Sequence, residues 1–104
     1  MSLTLVNLFT VPAEEAESFV ARFRATVEKF SDLPGFGGTE LHRNTGVGDQ
    51  TYSFVNIATW ESAEAWRAAL AKILPGAGWT GAAIPKAALY ESVLRFPNDD
   101  AAGS

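Results

Sequence analysis

Apolar and polar residues alternate from Leu3 to Val11 in a stretch rich in β-formers, which predicts a strand. One face of it carries Leu5, Asn7, Phe9 and Val11, and the other carries Thr4, Val6, Leu8 and Thr10. Pro12 ends the strand and opens a helix, with Glu14, Glu15 and Glu17 where the helix dipole favours negative charge. Ala16, Phe19, Val20, Phe23, Val27 and Phe30 recur at helical spacing, giving an amphipathic helix of about four turns. Residues 33–38, LPGFGG, form a turn-rich connector. Thr39 to Asn44 predicts a short strand, residues 45–49 a hairpin loop, and Thr51 to Trp60 a second, stronger strand. Ser62 is suited to cap a second helix, whose stripe is Ala65, Trp66, Ala69, Leu70 and Ile73. Pro75 stops that helix, and residues 76–85 read as loop. Lys86 to Phe96 predicts a last strand.

The order β-α-β-β-α-β predicts an α+β fold of ferredoxin-like type, with both helices on one face of a four-stranded antiparallel sheet. Residues 1–97 form the domain, and 98–104 are predicted to be a disordered polar tail. The helices cover only one sheet face. Yet Val6, Leu8, Val55 and Ile57 make the other face apolar as well, whereas an antiparallel sheet facing water is polar on its open side. The expected remedy is a homodimer, sheet against sheet.

Composition narrows the function. The 104 residues are 47% hydrophobic and 19% charged, the profile of a globular domain. There is no cysteine and only one histidine, His42, so thiolate chemistry and multi-histidine metal sites are excluded. A net charge of -4 argues against nucleic acid as a partner. No apolar run reaches the ~20 residues of a membrane span, and no basic leader precedes the first strand, so a cytoplasmic protein is expected. Residues 76–81 read G-x-G-x-x-G. A dinucleotide fingerprint, however, follows a strand and opens a helix, and here the motif follows a helix instead.

Two asparagines attract more attention. Asn7 and Asn56 both sit mid-strand among apolar residues, where asparagine is disfavoured. Each is either satisfied by its surroundings or placed in an apolar pocket to orient a ligand. Asn56 shares a strand face with Tyr52, Phe54 and Trp60, the last about 13 Å away at strand rise, and Trp66 begins the next helix. Such a cluster suits a flat aromatic ligand. His42, Tyr52 and Tyr90 are the titratable candidates for proton transfer.

The segment from Phe54 to Arg67, FVNIATWESAEAWR, together with the Pro34-Gly35-Phe36 turn, resembles the antibiotic biosynthesis monooxygenase superfamily. The resemblance covers residues 3 to about 96 and implies a dimeric α+β barrel. One branch oxidises polycyclic phenols or anthrones to quinones with molecular oxygen and no cofactor. Its catalytic Asn and Trp fall on Asn56 and Trp60, while its helix tyrosine falls on Trp66, and its later arginine has no counterpart in residues 74–85. Asn7, Trp66, Phe54 and Tyr52 would then contact substrate, and His42 or Tyr90 would move a proton. A second branch degrades heme. Its strand-one asparagine falls on Asn7, but its ligating histidine has no counterpart after His42. A polyketide cyclase or isomerase, or a non-catalytic small-molecule-binding dimer, are the other readings.

Overall fold

The computed structural model describes residues 2–73 and 86–97. The elements are β1 (Leu3–Phe9), α1 (Ala16–Phe30), β2 (Phe36–Arg43), β3 (Phe54–Trp60), α2 (Ala63–Ile73) and β4 (Lys86–Tyr90), and a 3-10 turn (Ala13–Glu15) leads into α1. The four strands form one antiparallel sheet in the order β2-β3-β1-β4. This is the ferredoxin-like α+β fold expected from the alternation. None of the described helices is long and apolar enough to cross a membrane.

Local chemistry sets the element ends. Pro12 contributes its carbonyl to the Glu15 N–H at 2.9 Å, so a tight turn precedes the α-helix proper. At α2, Ser62 Oγ accepts from the Ala65 N–H at 3.1 Å, the cap read from the sequence. The strand after the hairpin begins at Phe54 and not at Thr51. Asp49 Oδ1 takes the Thr51 N–H, and Asn44 Nδ2 donates to the Tyr52 carbonyl, so residues 49–52 are committed to the loop. The last strand ends at Tyr90, six residues short of the expected Phe96. Tyr90 pairs with Thr4, and β1 begins at Leu3, so the chain after Tyr90 runs off the end of the sheet. The G-x-G-x-x-G stretch and the polar tail lie outside the described residues.

In β2, Phe36 stands opposite Trp60 and Thr39 opposite Ala58, so three steps of β2 match two of β3. This β-bulge is accommodated at Gly38, whose φ of +113° an L side chain rarely adopts. The extra residue changes the phase of the strand. Phe36 and Thr39, an odd number of residues apart, therefore share the helix-facing side, and Glu40 and His42 face away.

Directly opposed residues share a face, so the helix-covered side of the sheet reads as rows. One row is Arg43, Phe54 and Phe9; the next is Leu41, Asn56, Asn7 and Ala87; the next is Thr39, Ala58, Leu5 and Leu89. Phe54 and Phe9 of the first row belong to a core cluster with Val11, Phe19 and Phe23, in which the Phe19 ring lies 4.8 Å from both. The third row belongs to a second cluster with Trp60 and Ala69. The asparagine row is the gap between them.

Candidate functional site

That gap is a cavity of about 250 Å³ between the sheet and the two helices. Its floor is Leu5, Asn7, Phe9, Asn56, Ala58 and Trp60, with Thr39 and Ala87 at the sides. Its roof is Phe23, Thr26, Val27 and Phe30 of α1 with Trp66 and Leu70 of α2, and Phe36 closes one end. The volume lies just under the range of ordinary small-molecule pockets, about 300–1,000 Å³.

Its polar atoms distinguish this cavity from a purely apolar packing gap. Trp60 is 2% exposed, and its Nε1–H has no hydrogen-bond partner among the described residues. The Oδ1 of Asn7 is likewise buried without one. Each such group costs about 1–3 kcal/mol. Trp60 cannot easily turn away, because Phe36 and Phe30 hold its ring at centroid distances of 5.2 and 5.8 Å. Asn56, 4% exposed, accepts through Oδ1 from the Thr39 hydroxyl, and its Nδ2 makes no hydrogen bond among the described residues. Asn56 and Asn7 stand opposite each other across β3 and β1. The residues lining this apolar cavity thus carry two N–H donors, on Asn56 and Trp60, and one acceptor, on Asn7. This pattern fits a flat aromatic ligand that carries a carbonyl or oxyanion and a hydroxyl.

Asn7, Asn56, Trp60 and Trp66 are brought together as the sequence suggested. Phe54 is not part of the lining. Its ring is packed on Phe19 inside the first core cluster, with the Arg43 guanidinium 5.7 Å from its centroid. Tyr52 precedes β3 and lines a separate open cleft with Val11, Arg43 and Asn44, its ring 5.5 Å from Lys86 Nζ. His42 and Tyr90 lie on the opposite face of the sheet. His42 is exposed and pairs with Glu40 at 3.4 Å, and Tyr90 is 56% exposed. None of the described residues lining the cavity is titratable. Residues 74–85 likewise contain no Asp, Glu, His, Lys, Arg or Tyr.

Two polar lining residues escaped the sequence reading. Thr26 interrupts the apolar stripe of α1 and is 8% exposed, a polar residue where the periodicity demands core. Thr39 is hidden by the bulge, although the Gly37-Gly38 pair just before it is the usual mark of one.

The fold and cavity define a ferredoxin-like α+β domain with an apolar cavity between helices and sheet. Residues 2–72 match the model of the antibiotic biosynthesis monooxygenase family, and the chain belongs to that family. It is 41% identical over 70 residues to deoxynogalonate monooxygenase of Streptomyces nogalater, a match covering 67% of this chain and 56% of that protein. The chain thus aligns with little more than half the length of that curated relative. Among solved structures it resembles SnoaB, a cofactor-independent oxygenase from the same organism. The TM-score is 0.74 and the identity 34%, over 93% of this chain and 98% of that one. It also resembles the heme-degrading protein of Mycobacterium tuberculosis, with a TM-score of 0.67 and 26% identity over 91% and 98% of the two chains.

Proposed function

We propose that this protein is a cofactor-independent monooxygenase that converts a polycyclic phenol or anthrone to the quinone with O2. The observation that carries this reading is the pair of buried polar atoms, Trp60 Nε1 and Asn7 Oδ1, without partners among the described residues, on two residues that line an apolar aromatic cavity beside Asn56. The substrate loses a proton and becomes an electron-rich anion. The anion reduces O2, a C–O bond forms, and the resulting hydroperoxide loses water to leave the new carbonyl. One oxygen atom enters the product and the other leaves as water. The Asn56 and Trp60 N–H groups hold the oxyanion in a site that excludes water. Asn7 accepts from a substrate hydroxyl, and Trp66 walls the ring system.

With no titratable side chain among the described lining residues, the acidity comes from the substrate itself. The test is oxidation of an anthrone by purified protein in air with no added metal, flavin or heme. Quinone formation above autoxidation is expected, with a rate that rises with pH through the ionisation of the substrate. No enzyme-dependent quinone from several anthrones would overturn the reading. Turnover under nitrogen would point instead to a cyclase or isomerase. Heme chemistry fits poorly, because the only histidine, His42, is exposed on the far side of the sheet and cannot ligate an iron in this cavity.

We further propose that the protein acts as a cytoplasmic homodimer, paired through the open sheet face. Val6, Leu8, Val55 and Ile57 give that face its apolar surface, and the chain beyond β4 presents Val93, Leu94 and Phe96 at 85–90% exposure. Exposed apolar residues in such density mark an interface. A stable one needs about 800 Å² from each partner. Light scattering is expected to give a dimer at micromolar concentration, and Ile57→Lys a monomer. A monomeric wild-type protein would remove the proposal.

A further inference from the structure

We infer that Thr39 is a positioning residue, which holds the Asn56 carboxamide with its N–H groups toward the cavity. The amide of an asparagine can present either its oxygen or its nitrogen to a ligand, and only its hydrogen bonds decide which. In this cavity the choice matters. With Oδ1 turned inward, Asn56 would present an acceptor to the cavity in place of its N–H groups. The site would then repel an oxyanion.

The Thr39 hydroxyl prevents this by donating to Asn56 Oδ1. A turned-over amide would need this hydroxyl to accept from Nδ2 and to give its own proton to the Ile57 carbonyl, 3.4 Å away and at the outer limit of a hydrogen bond. Thr39 reaches Asn56 because of the bulge at Gly38. A regular strand with Phe36 facing inward would turn Gly38 and Glu40 inward as well and Thr39 outward. The bulge thus turns a hydroxyl toward Asn56 and keeps a carboxylate out of the cavity.

The inference rests on the oxygenase reading for its kinetic test alone. Valine is nearly isosteric with threonine and favours strands, so Thr39→Val is expected to fold. It should lower kcat for anthrone oxidation by about three- to tenfold, the worth of one hydrogen bond, with KM within about twofold of wild type. Thr39→Ser, which keeps the hydroxyl, should restore kcat. Unchanged kcat in Thr39→Val overturns the inference. So does a loss in Thr39→Ser as deep as in Thr39→Val, which would assign the effect to the methyl group.

A second measurement needs no turnover. The side-chain amide signals of Asn56 in a ¹⁵N spectrum, identified by their absence in Asn56→Ala, should move or broaden in Thr39→Val and return in Thr39→Ser. If they stay in place in Thr39→Val, the inference fails whatever the kinetics show. If the wild type makes no quinone while these signals behave as expected, the oxygenase reading fails and the positioning role stands.

Discussion

Replacing Asn56 by alanine is expected to lower kcat/KM for anthrone oxidation by about 10²–10³-fold, the usual cost of deleting one oxyanion donor from a water-excluded site. The expectation comes from the arrangement around the residue. Asn56 is 4% exposed, its amide oxygen is engaged by Thr39, and its N–H groups have no partner among the described residues. A donor already held in place before substrate arrives needs little reorganisation when charge develops, which is why such groups act more strongly than the same amide in water. On the proposed mechanism Trp60 is a second donor, so activity should fall without vanishing. Stability should move little. The substitution removes a buried amide that is only partly satisfied, and it enlarges a cavity that already exists. Initial rates at several substrate concentrations, beside a thermal melt, make the check. A folded Asn56→Ala protein with wild-type turnover would remove Asn56 from the chemistry, and a melt lowered by more than ten degrees would make its role structural.

The sequence exposed this site unevenly, for physical reasons. Asn7 and Asn56 were legible because polar residues at core positions of a strand conflict with the alternation around them. Their meeting in one row follows from antiparallel pairing of β1 with β3. Trp60 and Trp66 were legible from strand alternation and helical spacing. Alternation alone could not place His42, Glu40 and Thr39. It gives which residues share a face but not which face is covered, and one bulge residue reverses the answer. Phe54 and Tyr52 show the same limit in another form. They share a strand parity with Asn56, but a strand is long compared with a cavity of about 250 Å³, and the rows beyond Asn56 belong to the packed core and the hairpin end. The last strand was overestimated because its β-forming residues continue past the point where β1 offers partners. Local propensity cannot see the end of a neighbouring strand.

Gly35→Ala is expected to destabilise the protein by about 2–4 kcal/mol, from left-handed backbone strain together with overpacking. That corresponds to a fall in melting temperature on the order of 10–20 °C for a domain of this size. Gly35 lies in the Pro-Gly-Phe turn between α1 and β2, with φ of +86°. A methyl group there would come within 2.5 Å of Ala65 Cβ and 3.4 Å of Glu61 Cβ. Ala65 Cβ is fixed to the α2 backbone and cannot swing aside, so the turn and the helix must separate. The turn cannot move alone, because its Gly35 carbonyl accepts the Glu61 N–H at 2.8 Å. Gly38→Ala is the matched control. Its φ of +113° is also unfavourable, but nothing lies within 4 Å of the added methyl, so only the backbone cost applies and the loss should be smaller. The residues next to the clash are Phe36 and Trp66, which line the cavity from the turn and from α2. Forcing Gly35 and Ala65 apart therefore moves two walls of the pocket, and the variant should show a raised KM at temperatures where it is still folded. A Gly35→Ala protein that melts within two or three degrees of wild type would show that α2 is not docked on this turn. The Pro-Gly-Phe element would then need an explanation other than close approach.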